Sequence, residues 1–223
     1  MSELETIEIE TAPQPAATVV VLHGLGADGN DFVPITQELE LDAVGPVRFV
    51  FPHAPVMPVT INNGYAMRAW YDILGPDLVR REDEAGLRKS LASVEGLLAR
   101  EKARGMPAHR IVLAGFSQGC AMALLTGLRH RERLAGIVGL SGYLPLAAST
   151  ATERTDANAI TPIFLGHGTQ DGVVALERGR QSRDALQALG YDVSWNEYPM
   201  GHSVCMEEIA DLNAWLLRML AKA

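Results

Sequence analysis

Short runs of branched apolar residues alternate along this chain with amphipathic stretches, from one end to the other. Glu5 to Glu10 alternates with period two, Ile7 and Ile9 against Glu8 and Glu10. That pattern predicts a half-exposed edge strand, ended by Pro13 and Pro15. Ala17 to Leu22 is a short Val-rich run, the mark of a strand covered on both faces. It leads into the glycine-rich loop His23-Gly24-Leu25-Gly26-Ala27-Asp28-Gly29-Asn30. Phe32, Ile35 and Leu39 then predict a helix through about Leu41, capped by Asn30 or Asp31. Val47 to Phe51 predicts a further strand, halted by Pro52. From His53 to about Arg80 there is no sustained periodicity, and connections this long are usually functional or disordered. Met57, Ile61, Tyr65, Met67, Trp70, Tyr71 and Leu74 are costly to leave in water, so the stretch reads as a folded loop presenting apolar surface. Glu82 to Arg104 then carries Leu87, Leu91, Val94 and Leu98 at steps of four, three and four, an amphipathic helix stopped by Gly105 and Pro107.

The second half repeats the alternation. The apolar run after Arg110 enters Gly115-Phe116-Ser117-Gln118-Gly119 and leaves as an apolar helix. A strand over Leu134 to Leu140 follows, then the loop Ser141-Gly-Tyr-Leu-Pro, and a polar stretch to about Ala159 that reads as surface. The strand from Pro162 runs into His167-Gly168-Thr169-Gln170-Asp171-Gly172, before a helix over about Ala175 to Leu189. The last strand, from Val193, ends at Pro199-Met200-Gly201-His202. The final helix places Ile209, Leu212, Leu216 and Leu220 on one face, with Glu207 and Glu208 favourably near its positive N-terminus. Strands alternating with helices at short spacing predict an α/β fold, a mostly parallel twisted sheet with helices on both faces. We expect one domain over residues 1–223, with the 53–80 stretch as its long loop. In such sheets functional loops gather at the carboxyl ends of the strands, so the glycine loop, the Ser117 turn, the Asp171 loop and the His202 loop should open on one edge.

Composition narrows the function classes. A net charge of −8 over 223 residues argues against a nucleic-acid partner, which needs clustered Lys and Arg. The glycine loop lacks the G-x-x-x-x-G-K-[ST] pattern of a phosphate loop, and a dinucleotide fingerprint is absent as well. Two cysteines, Cys120 and Cys205, make neither a disulfide framework nor a four-cysteine zinc site. No cofactor and no metal is expected. The acidic N-terminus lacks the segments of a signal peptide, and no run of about 18 apolar residues occurs, so a cytoplasmic enzyme with at most transient membrane contact is expected.

Gly115 to Gly119 is G-x-S-x-G between a strand and a helix, a setting in which the motif forces a sharp turn and pushes out one hydroxyl. A serine hydroxyl needs a positioned base, and the base needs an orienting acid. On this kind of turn the partners follow in the order serine, acid, histidine. Of six histidines, His23, His53 and His109 precede Ser117, His130 lies in a charged patch that looks solvated, and His167 precedes the favoured acid. His202 remains. Asp171 directly follows a strand, whereas Asp184 lies within a helix, Asp192 in a helix-to-strand turn and Asp156 in the polar stretch. Asp171 taken singly would pass for a helix cap. For the developing oxyanion, the turn offers the backbone N–H of Gln118. The glycine loop offers a second donor, with Leu25 favoured over Gly24 or Gly26, while His23 is expected to bond backbone and hold that loop.

His23-Gly-Leu-Gly-Ala-Asp-Gly, Pro58-Val-Thr, Met67-Arg-Ala-Trp-Tyr-Asp-Ile, Gly115-Phe-Ser-Gln-Gly, Leu140-Ser-Gly-Tyr-Leu-Pro, Gly166-His-Gly-Thr-Gln-Asp and Met200-Gly-His resemble the carboxylesterase and acyl-protein thioesterase family over nearly the whole chain. The resemblance implies an α/β-hydrolase fold without a large cap domain. It also implies hydrolysis of esters or thioesters through Ser117, Asp171 and His202, with Leu25 and Gln118 lining the oxyanion hole. The loop around Met67 and Trp70, with Tyr71 and Leu74, would border the acyl pocket. Tyr71 stands where the family often has Phe, which leaves acyl preference open. The leading expectation is a small-molecule ester or thioester of small to medium acyl length. The alternatives are acylated proteins or lysophospholipids with long acyl chains, and a non-catalytic binding module on the same fold. A monomer and a homodimer fit equally. Cys120 and Cys205 read as small buried residues, with a pocket-blocking thiol as the sharper alternative.

Overall fold

The computed structural model describes residues 4–75 and 82–221, so residues 76–80 of the long stretch lie outside it. Its elements are β1 (Thr6–Glu10), β2 (Ala17–Leu22), α1 (Ile35–Glu38), β3 (Val47–Pro52), β4 (Val56–Val59), β5 (Tyr65–Arg68), α2 (Glu84–Ala103), β6 (Ile111–Phe116), α3 (Gln118–Arg129), β7 (Gly136–Leu140), α4 (Ala147–Glu153), β8 (Ile163–Gly168), α5 (Leu176–Ala188), β9 (Val193–Tyr198) and α6 (Met206–Met219).

Seven strands form one sheet in the order β1-β3-β2-β6-β7-β8-β9, and β4 pairs with β5 apart from it. Among the described residues, only β1 runs antiparallel to its neighbour in the large sheet, and its charged residues lie on the edge as the alternation predicts. Every residue of β2, β3, β7 and β8 is buried, as strands covered on both faces must be. Successive residues feed opposite layers: Val20 and Leu22 join Leu87, Leu98 and Met122 under α2 and α3, while Val19 and Val21 join Leu212 and Trp215 under α6. This is the α/β-hydrolase arrangement, with no large cap domain among the described residues. From β2 the chain winds outward to β3, then returns to β6 and winds the other way through β9. The crevice at the carboxyl ends of β2 and β6 is therefore the topological switch point, where ligands bind in open parallel sheets.

Several expectations are corrected. The helix expected from Asn30 to Leu41 is a single turn, Ile35–Glu38, entered through Pro34. Pro34 has no N–H to offer the carbonyl of Asn30 and its ring crowds that carbonyl, so the residues before it form open turns instead. The unpatterned stretch contains the β4–β5 hairpin, closed through Asn63 and Gly64, both at positive φ. The polar stretch after Pro145 is helical in α4, and Thr150, Asn158 and Thr161 are buried. Nor is His130 solvated: it is buried with Nδ1 2.8 Å from Glu95 Oε2. Glu207 and Glu208 do lie in the first turn of α6, but Glu208 turns inward and is fully buried.

Candidate active site

Ser117 occupies the corner between β6 and α3 with φ 55° and ψ −117°, a backbone conformation that side chains rarely adopt. The two flanking glycines make the corner possible. A Cβ at Gly115 would lie 2.1 Å from the carbonyl oxygen of Gly119, and one at Gly119 would lie 2.0 Å from that of Leu22. The strained residue is held by its own N–H, which donates to Leu140 O at 2.9 Å.

Two further loops converge on this corner. Thr169 and Gln170 donate backbone N–H groups to Tyr198 O and Met200 O, so the Asp171 and His202 loops are tied together where β8 and β9 end. His202 Nδ1 lies 2.7 Å from Asp171 Oδ2, and Nε2 lies 2.9 Å from Ser117 Oγ. A carboxylate only accepts, so Nδ1 carries the proton and Nε2 is left to accept from the serine hydroxyl. The Phe116 ring backs the imidazole at 4.8 Å. The Asp171 side chain is fully buried, and its Oδ1 accepts the N–H groups of Val173 and Val174, each at 2.8 Å. Capping and imidazole binding thus fall to different oxygens of one carboxylate. His167 Nε2 donates to Val174 O at 2.9 Å and lies 3.5 Å from Asp171 Oδ2. Burial pushes the His167 pKa down, which keeps a second cation away from that carboxylate.

The glycine loop passes directly against the serine, since a Cβ on Gly24 would stand 3.3 Å from Ser117 Cβ. Gly26 N–H donates to Arg68 O at 2.9 Å and Ala27 N–H to Gly24 O at 3.4 Å, so neither faces the crevice free. His23 is buried, with Nδ1 bonded to Gly24 O at 2.7 Å and Nε2 accepting from Ala54 N–H at 3.0 Å. Burial lowers its pKa and holds it neutral, in the tautomer that this pair of bonds requires.

The four residues expected to border an acyl group separate. Met67 is half-buried beside the glycine loop, its Sδ 3.6 Å from where a Gly26 Cβ would stand, and Leu74 is exposed. Trp70 and Tyr71 are 1% and 2% exposed, so they offer no wall to a ligand in this conformation. The short, anchored path from β5 into the core accounts for this: Ala69 N–H bonds Pro55 O, and the Trp70 and Tyr71 side chains turn inward. Tyr71 instead meets Tyr143, hydroxyl to hydroxyl at 3.0 Å, and Tyr143 lines a cavity of about 220 Å³ with Leu144, Ala147, Arg178 and Ser182. Cys120 is buried and its thiol is pushed up to about 12 by burial, which removes it as a reactive thiol near neutral pH. The side-chain amide of Gln118, bonded to Trp70 N–H and Tyr71 O, went unforeseen; a buried glutamine beside the serine carries no signal of its own in the sequence.

A parallel sheet with a serine, an imidazole and a buried carboxylate in line at its switch point is the arrangement of an α/β-hydrolase. The profile of the Phospholipase/Carboxylesterase family matches residues 4–220, and the chain belongs to that family. Acyl-protein thioesterase 1 of Gibberella zeae is 42% identical, over 94% of this chain and 93% of its own. Among solved structures, Arabidopsis thaliana SOBER1 superposes with a TM-score of 0.87 at 31% identity, covering 92% of this chain and 99% of that one. Acyl-protein thioesterase 2 of Zea mays gives 0.84 at 31% identity, covering 97% and 99%.

Proposed function

We propose that the chain hydrolyses carboxylic esters and thioesters through an acyl-enzyme on Ser117. His202 takes the serine proton as Ser117 Oγ attacks the acyl carbon, and returns it to the departing alcohol or thiol. A water activated by the same imidazole then releases the acid. Asp171 fixes the tautomer of His202 and stabilises the imidazolium without taking the proton. The backbone N–H groups of Leu25 and Gln118 receive the oxyanion, each donor being worth about 2.7–4 kcal/mol of barrier. The observation that carries this reading is the in-line contact of Ser117 Oγ, His202 and Asp171 at 2.9 and 2.7 Å, beside a glycine loop that approaches the serine directly. Ser117→Ala should fold as the parent does and lose hydrolysis of a soluble aryl ester by at least a thousandfold. Unchanged turnover in that variant would sink the proposal.

A second reading places the acyl group on a protein. The names of the relatives support it, as do Val56, Ile61, Tyr65 and Leu74, which expose apolar surface on and beside the β4–β5 hairpin. Hydrolysis of an S-acylated protein, set against the same acyl group on a small thiol, separates the readings. A higher kcat/KM on the protein favours the second.

A further inference from the structure

We propose that Trp70 is a positioning residue that holds the two oxyanion donors, Leu25 and Gln118, in register with each other; the inference rests on the acyl-transfer reading above. Trp70 is bonded to three separate parts of the molecule. Its backbone N–H donates to Gln118 Oε1 at 3.0 Å, and the other end of that amide donates from Nε2 to Tyr71 O at 2.8 Å. This two-bond clasp ties the Trp70–Tyr71 backbone to the first residue of α3, whose own N–H is one donor. The indole Nε1–H donates to His23 O at 2.9 Å, and the indole lies 5.4 Å from the His23 ring. The Ser90 hydroxyl donates to Trp70 O, which anchors the residue to α2.

The indole bond acts on the second donor through peptide planarity. Gly24 C=O and Leu25 N–H belong to one rigid unit and point in opposite directions. His23 Nδ1 holds Gly24 O, and so aims Leu25 N–H. That grip is only as well placed as His23, whose carbonyl is the group the indole holds. A tryptophan serving only to fill the core would need its ring and not its N–H. Phenylalanine supplies a ring without the donor, which separates the two roles.

The test is Trp70→Phe, assayed on a short aryl ester with kcat expressed per active site titrated to completion by a fluorophosphonate. Removing one oxyanion donor outright costs about a hundredfold or more. Misaiming one should cost about tenfold in kcat, with KM within twofold. Affinity for a trifluoromethyl ketone, which forms the oxyanion on the serine, should fall by the same factor as kcat. Unchanged kcat per site, or a loss confined to KM or to the number of titratable sites, overturns the positioning role. If Trp70→Phe does not fold, benzothienylalanine at position 70 keeps the bicyclic shape and replaces N–H by sulfur. The same tenfold loss is then expected, and full kcat overturns the proposal. Ser117→Ala, run alongside, keeps the two ideas apart. An inactive Ser117→Ala with a fully active Trp70→Phe counts against the role of Trp70 alone, whereas a parent chain that hydrolyses no ester counts against the acyl-transfer reading.

Discussion

Glu208 sits in the first turn of α6 with no exposed surface, and neither carboxyl oxygen has a hydrogen-bond partner among the described residues. It lies over Gly166 of β8, where a Cβ would come within 2.0 Å of Oε1, and beside the Tyr198 ring. Desolvation pushes its pKa up to about 8 from an ordinary 4.5, so the neutral acid is the form the fold accepts. Below pH 4.5 both folded and unfolded chains hold the proton, and Glu208 adds nothing to the pH dependence. Between 4.5 and 8 the unfolded chain releases it first, so stability falls as pH rises, and above 8 the whole cost is felt. That cost is on the order of 5 kcal/mol, each pKa unit being worth about 1.4 kcal/mol. Glu208→Gln, an uncharged isostere, should therefore melt above the parent at pH 8. The gap should close as pH falls toward 4.5, which thermal unfolding across that range would read directly. An equal Tm at every pH would show that Glu208 is not held neutral.

At the scale of elements, Asn158 shows what a polar stretch can conceal. Its Oδ1 accepts from Leu134 N–H at 2.9 Å and Thr161 Oγ1 at 2.8 Å, and its Nδ2 donates to His130 O and Glu132 O, each at 2.8 Å. One side chain thus pins the segment after α4 to the turn between α3 and β7. Asn158→Ala leaves the buried Leu134 N–H without its acceptor and should destabilise by about 1–3 kcal/mol. The kcat of the folded protein should stay within twofold, as denaturant unfolding and an ester assay would show together. Such a residue is invisible to periodicity, because its partners are backbone groups brought together only by folding. The same limit hid the β4–β5 hairpin: its strands are four residues long, and Pro58 interrupts any alternation. Pro34 is a different case: its effect is local and readable in the sequence, but the three apolar residues at helical spacing outweighed it in the helix expected from Asn30. The large-sheet strands and the long helices were legible because burial on one or two faces writes itself into periods of 2 and 3.6. The serine, acid and histidine were legible for another reason. Each follows a strand, and chain order leaves one histidine in the right place, so no side-chain geometry had to be foreseen. Trp70 and Tyr71 were placed on the pocket wall because apolar residues in a loop do not declare which of them turn inward.

Across the whole molecule the two edges of the sheet do different work. Residues from four loops meet at the carboxyl edge, at the ends of β2, β6, β8 and β9. The opposite edge carries a charged clamp. Glu101 of α2, fully buried, accepts from Thr18 Oγ1 at 3.0 Å and Arg48 Nη1 at 2.9 Å through Oε2, and from Arg104 Nη1 at 3.0 Å through Oε1. Arg48 also pairs with Glu10 of β1 at 2.8 Å, so one network fastens the end of α2 to β1, β2 and β3. Removing one member of a buried pair costs about 3–5 kcal/mol, chiefly through the charge left behind. Glu101→Ala should fall near the lower end of that range, because Glu10 still faces Arg48. Thr18 and Arg48 lie near the starts of their strands, whereas Ser117 and the glycine loop lie past the ends of theirs, a full strand length away. Among the described residues, the network touches no group that holds Ser117, His202 or Asp171. Glu101→Ala should therefore lower the urea midpoint markedly and leave kcat and KM of the folded enzyme within twofold at 25 °C. A fall in kcat matching the loss of stability, measured where the variant is still fully folded, would mean that the charged edge and the crevice are coupled through the sheet.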